Sequence, residues 1–213
     1  MKTLAAAASI LVLAGLAGTA SAAFHSTVHR IPPAVKERIV GSSWHKGCPV
    51  PLRKLRLVRA TIHRFDGTDS RGRLIVHRGE AHDIAHVFHK LYRADYPIRR
   101  MRLVDAYGAD DDRSMAANNT SAFNCRFVAG TSSWSMHAYG RAIDLNPVQN
   151  PYVSGSQVSP AKGKKYADRS LHKRGMIHAG DAVVRAFASI GWEWGGSWSG
   201  GTRDYQHFSS NGH

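Results

Sequence analysis

Two short stretches hold residue types that can do chemistry. The first is Ser135-Met136-His137-Ala138-Tyr139-Gly140-Arg141-Ala142-Ile143-Asp144; the second is Asp204-Tyr205-Gln206-His207-Phe208. Together they offer two imidazoles and two carboxylates. Neutral imidazole and carboxylate suit a catalytic zinc, which takes three protein ligands and keeps one position open for water. His137 and Asp144 bracket Gly140, so one can lie before a tight turn and the other on the strand after it. Ligands on strand ends and short turns converge better than ligands on mobile loops. The third ligand should come from a neighbouring strand, and His207 is the best placed. Asp204 is then the spare carboxylate, a general base and afterwards a general acid for metal-assisted hydrolysis.

The chain carries 13 histidines, so rivals for a metal need weighing. His82-Asp83-Ile84-Ala85-His86 sets two His at i and i+4, as a zincin helix does. Asp is the wrong base for that motif, and no third ligand follows at a recognisable spacing. With His89 on the same flank, a His-rich polar helix face is the better reading. Asp110-Asp111-Asp112 lacks the spaced oxygen ligands of a calcium loop and reads as solvated.

The wider wording of both stretches carries a resemblance. The first is a full S-x-H-x-x-G-x-A-x-D pattern over 135–144. Gly191-Trp192-Glu193-Trp194-Gly195-Gly196-Ser197-Trp198 precedes the second stretch. With these motifs the chain closely resembles the D-alanyl-D-alanine carboxypeptidase family of zinc peptidases. These are VanY/VanX-like enzymes and include L-alanyl-D-glutamate endopeptidases. The resemblance runs from roughly Cys48 to Phe208.

The resemblance implies a single-domain α+β fold, a small mainly antiparallel sheet with flanking helices, related to the hedgehog signalling domain. It implies one zinc on His137, Asp144 and His207. Asp204 falls where the family keeps its catalytic acid/base, Glu in many members and Asp in the endopeptidase-like ones. Asp there weakens the case for a VanX-type dipeptidase. Ser135 would lie near the substrate's backbone or terminal carboxylate. Family members also hold a substrate carboxylate with an upstream Arg. Arg126 is the first choice and Arg113 the second, since a guanidinium fork suits a carboxylate. Trp198 could line the cleft, whereas Trp192 and Trp194 read better as core. The substrates implied are peptidoglycan stem peptides, cut at D-Ala-D-Ala or at L-Ala-D-Glu. A non-catalytic, zinc-stabilised wall-binding domain of hedgehog-like fold is the alternative; the retained Asp204 argues against it.

The setting agrees. Met1-Lys2, an apolar run to Ala17 and Ala20-Ser21-Ala22 make a Sec signal peptide over 1–22, cleaved before Ala23. No other stretch is apolar enough to span a membrane, so the mature chain is expected in the periplasm or outside the cell. Lys and Arg number 29 against 15 Asp and Glu, a formal net charge of +14, and the leader holds only Lys2 of that excess. Such a chain favours polyanions, here anionic wall polymers. No familiar nucleic-acid motif accompanies the charge, and none is expected as a partner. Cys48 and Cys125 are an even pair in an exported chain, which suggests a disulfide; two separate buried thiols are the alternative.

The elements that must position the site are less explicit. Residues 23–47 read as an N-terminal arm, with a short helix over 34–40, ahead of a domain spanning 48–213. Residues 55–65 and 72–77 read as a β-hairpin about Asp66-Gly67. Residues 80–96 are the clearest helix, stopped by Pro97. A strand is expected over 98–106, a polar irregular loop over 107–126 and a short helix over 180–190. A mobile excursion is expected over 152–175, and one last strand over 203–208.

Overall fold

The computed structural model describes residues 23–212. The leader read over 1–22 lies outside them. The described strands form three antiparallel sheets of three strands each, with four short α-helices around them.

The first sheet is the frame. It orders β1 (Ser26–Arg30), β2 (Leu55–His63) and β3 (Asp69–His77) side by side. Asp66 builds the turn between the last two, its Oδ1 accepting from Thr68 N at 3.1 Å and Thr68 Oγ1 at 2.6 Å. Successive side chains of a strand point to opposite faces. Val58, Ala60, Ile62, Leu74 and Val76 therefore enter one core, and Leu55, Leu57 and Ile75 a second.

Helix α2 (Ala81–Arg93) covers the first face with Ile84, Val87, Phe88 and Leu91, and ends before Pro97 as expected. Helix α4 (Ala182–Ala188) packs into the same core. Asp181 caps it, Oδ1 accepting from Val183 N and Val184 N at 2.9 Å. Helix α1 (Pro33–Ile39) starts on a proline and buries Val35 and Ile39 in the second core, beside Phe123 and Cys125. The 23–47 segment thus supplies a strand and a helix to the packed body. Cys48 and Cys125 are disulfide-bonded, with Cα atoms 5.9 Å apart.

Two smaller sheets carry the C-terminal half. One orders β4 (Ala142–Asp144), β9 (His207–Ser209) and β7 (Glu193–Trp194); the other orders β6 (Gln157–Ser159), β5 (Tyr152–Ser154) and β8 (Thr202–Asp204). Phe208 of β9 stacks on Phe187 of α4 at 4.1 Å, which ties the site sheet to the main core.

Several sequence expectations need correcting. Residues 98–106 are not a strand. They run beside β3, bonding through Arg73 N to Met101 O at 3.0 Å, and then coil into a 3-10 turn at Val104–Tyr107. Met101 packs where Gly72 has no side chain, and its one strand-like pairing is an isolated bridge to Thr120. The polar 107–126 stretch contains helix α3 (Asp111–Ala116), capped by Asp110 Oδ1 on Arg113 N at 2.9 Å. The 152–175 excursion holds the β5–β6 hairpin, and β5 pairs with β8. Residues 203–208 are two strands in two sheets, with a turn at Tyr205-Gln206. No helix among the described residues is long and apolar enough to cross a membrane.

Candidate active site

Asp144 and His207 lie directly opposite each other in the β4–β9 register. Opposed residues of antiparallel strands share a face, so both side chains project to the same side. His207 Nδ1 is 3.1 Å from Asp144 Oδ1. The other edge of β4 is held by Ser121, which exchanges backbone hydrogen bonds of 3.1 and 2.9 Å with Asp144.

His137 comes from the 3-10 turn Met136–Tyr139 that leads into β4. Ser135 heads this turn, and its Oγ accepts from His137 N at 3.3 Å. The turn ends on Gly140 at φ 66°, in the left-handed region, where a Cβ would stand 2.7 Å from the backbone N of His77. Glycine is required there on both grounds. The turn carries His137 Nε2 to 3.2 Å from Asp144 Oδ2.

The tautomer of His137 follows from its other nitrogen. Nδ1 is 2.6 Å from Ala122 O. A carbonyl only accepts, so Nδ1 carries a proton and donates it there, which leaves Nε2 to face Asp144. An Nε2 this close to a carboxylate oxygen needs a positive charge between them, a proton or a metal ion. One donor atom from each of His137, Asp144 and His207 lies within 4.8 Å of the others, and all three residues are buried. Burial alone would push the Asp144 carboxyl up. The charges and hydrogen bonds of His137 and His207 outweigh it and hold the group well below the usual carboxylate range. Two imidazoles and a carboxylate fit a zinc ion that keeps an open position.

The rivals do not assemble. His82 and His86 are exposed on α2 and join no such group among the described residues. His45, Cys48 and Cys125 come together, but both sulfurs are spent in the disulfide.

Asp204 ends β8 opposite Tyr152 of β5, one turn before His207. That turn is pinned from three directions. Trp194 Nε1 donates to Tyr205 O at 2.9 Å, Leu145 N donates to Gln206 O at 2.9 Å, and the Arg169 guanidinium lies 4.3 Å from the Tyr205 ring centre. Gly195 lets the chain pass close: a Cβ there would meet Asp204 O at 2.6 Å. Asp204 Oδ1 is shut away from solvent with no hydrogen-bond partner. Burial, and then the Asp144 charge, push its carboxyl up to about 6.

Arg126 lies next to the site strand, its carbonyl accepting from Ser135 N at 3.1 Å. Its Nη2 is 2.6 Å from Asp111 Oδ2, and its Nε is buried without a hydrogen-bond partner. Asp111, read from the sequence as part of a solvated acidic run, is instead partly buried against Arg126. Burial raises its carboxyl, Arg126 opposes that, and Asp144 and His137 are near enough to act on it. Arg113 is exposed and pairs with Asp110 at 3.4 Å. Trp192 and Trp194 are core residues, whereas Trp198 is half-buried with its ring centre 5.8 Å from that of His207. Phe127 and Trp134 stack at 4.0 Å beside Arg126 and Ser135, an aromatic flank whose partners no local pattern announced.

A family model described as D-alanyl-D-alanine carboxypeptidase matches residues 129–210. The matched stretch contains His137, Asp144, Asp204 and His207, so the resemblance read from the motifs holds there. The match supports a zinc peptidase of the peptidoglycan-related type, with the His137, Asp144 and His207 group as a place for the ion. No curated protein and no solved structure matches the chain.

Proposed function

We propose that the protein is a zinc-dependent peptidase that hydrolyses peptidoglycan stem peptides, as a D-Ala-D-Ala carboxypeptidase or an L-Ala-D-Glu endopeptidase. The observation that carries this reading is the convergence of His137, Asp144 and His207 beside Asp204, a carboxyl pushed up to about 6. His137 Nε2, an Asp144 carboxylate oxygen and a His207 ring nitrogen would hold one zinc. When bound, zinc supplies Lewis acidity toward the scissile carbonyl and acidifies a water.

The chain's own groups do the rest. The Asp204 carboxylate takes the proton of the attacking water and returns it to the leaving amine. A carboxyl near 6 is ionised at neutral pH yet can still donate. Ser135 and Arg126 orient the substrate, Arg126 through its guanidinium to a substrate carboxylate, with Arg113 the second choice. Asp111 holds Arg126 in place, and Trp198 forms a wall beside His207. Export through Sec would set the enzyme beside the wall, and the net charge of +14 would favour encounter with its anionic polymers.

Mass spectrometry of purified muropeptides after digestion tests this reading. Loss of one terminal alanine identifies the carboxypeptidase; separation of the stem between L-Ala and D-Glu identifies the endopeptidase. No mass change with zinc-loaded protein would leave the non-catalytic wall-binding domain.

A further inference from the structure

Outside the site, a cationic groove of about 500 Å³ lies at the end of the first sheet. Arg30, Lys36, Arg53, Arg56 and Arg78 line it, and no acidic residue does. They converge from β1, α1, the turn at Leu52–Lys54, β2 and the segment after β3. Arg30 stands directly opposite Arg56 in the β1–β2 register. Like charges set opposite each other across strands are unfavourable. None of the five is in an ion pair among the described residues. Arg56 is held in place, its Nη1 donating to Arg53 O at 3.0 Å and Leu55 O at 2.8 Å, which leaves Nε and Nη2 for a ligand. A convergent, unneutralised and partly fixed set of guanidinium groups is the makeup of an anion site.

The lining also narrows the anion. Cations arriving from several elements suit a tetrahedral phosphate, whose oxygens point in several directions, better than one planar carboxylate. The remaining lining, Ile31, Leu52 and Leu55, is aliphatic. Single-stranded nucleic acid is gripped by aromatic side chains that stack on bases, and this groove has none. Leu55 also reaches the site: its Cδ2 lies 3.2 Å from where a Cβ of Gly140 would be. A ligand in the groove would therefore sit behind the turn that carries His137.

We propose that this groove binds a phosphodiester polyanion without bases, of the polyol-phosphate kind, and so tethers the protein to such a polymer. The inference does not depend on the peptidase reading, and its test reads binding alone.

Titrate the full chain with poly(glycerol phosphate), following anisotropy or heat at several salt concentrations. The side chains of Arg30, Lys36 and Arg78 make no hydrogen bond or ion pair among the described residues, so Arg30→Gln/Lys36→Gln/Arg78→Gln should fold. We expect at least ~10-fold weaker binding and a salt dependence shallower by about two charges. Lys162→Gln/Lys164→Gln/Lys165→Gln, the same charge change elsewhere, should bind within about twofold of the parent on the same counterion reasoning. Equal loss in both variants, or in neither, overturns the site. Oligothymidylate or poly-L-glutamate binding as tightly as poly(glycerol phosphate) overturns the ligand class. Should the variant not fold, hydrogen exchange on the unaltered chain decides. Added polymer should protect amides around residues 30–36 and 52–56, and no protection there overturns the proposal.

Discussion

Asp204 is a carboxylate that the fold makes hard to ionise. Its Oδ1 has no hydrogen-bond partner, and Asp144 lies close enough to raise it further. A general base must be ionised, so kcat/KM on a muropeptide should rise with pH through about 6 and fall away below it. Stability should run the other way. A carboxyl raised in the folded state favours folding at pH below its unfolded value, and that contribution is lost as pH rises through about 6. Bound zinc would draw that inflection lower, and a pH–rate profile with no acid limb at or below about 6 would remove Asp204 from the base role. Asp204→Asn should lower kcat by about 10²–10⁴-fold while metal analysis still finds one zinc per chain. A fully active Asn variant would sink the assignment. At this scale the sequence was readable where chemistry is local. His137 to Asp144 and Asp204 to His207 are short spacings on single turns. Asp111 was hidden because it acts through Arg126, fifteen positions along the chain, and three adjacent Asp residues look like a solvated loop.

At the scale of elements, two glycines set how close segments approach, and each predicts a different failure. Gly195 passes against Asp204, and an alanine Cβ would meet the Asp204 carbonyl at 2.6 Å. Gly195→Ala should shift the end of β8 and with it the base, while β4 and β9, which carry the metal-binding candidates, stay paired. We expect kcat to fall at least ~10-fold, in line with the sensitivity of catalysis to small misplacements, with zinc content unchanged. Gly140→Ala meets both a left-handed φ of 66° and the backbone N of His77. It should cost about 1–3 kcal/mol in urea unfolding and weaken zinc binding, because the His137 turn must move. Reversal of the two phenotypes would mean the elements are coupled otherwise. The hairpin β2–β3 and helix α2 were legible because their apolar periods are long. The split of 203–208 was not: six residues with alternating character read as one strand. What breaks them is pairing from outside, β5 on Asp204 and β4 on His207.

For the whole molecule, the candidate zinc site and the disulfide lie in different halves. His137, Asp144 and His207 join the 3-10 turn to β4 and β9, so chelation should lower Tm as well as abolish hydrolysis, and zinc should restore both. Binding should also weaken in acid, since imidazole ligates only when neutral. The disulfide closes the other side. Cys48 and Cys125 are 77 positions apart, and the bond lashes the strand and helix of 23–47 to the second core. Loop-closure entropy for that span gives about 4 kcal/mol. Cys48→Ser/Cys125→Ser should therefore lose about that much unfolding free energy in urea, and reduction should do the same to the parent. Cys125 N donates to Ser43 O at 2.9 Å, and Arg126 follows directly. Losing the bond should loosen Arg126 while leaving the β4–β9 pairing intact. The folded variant is expected to show a raised KM with kcat little changed. A fall in kcat with KM unchanged would instead mean that the clamp supports Asp204 or the metal-binding turn, and that Arg126 does not read the substrate.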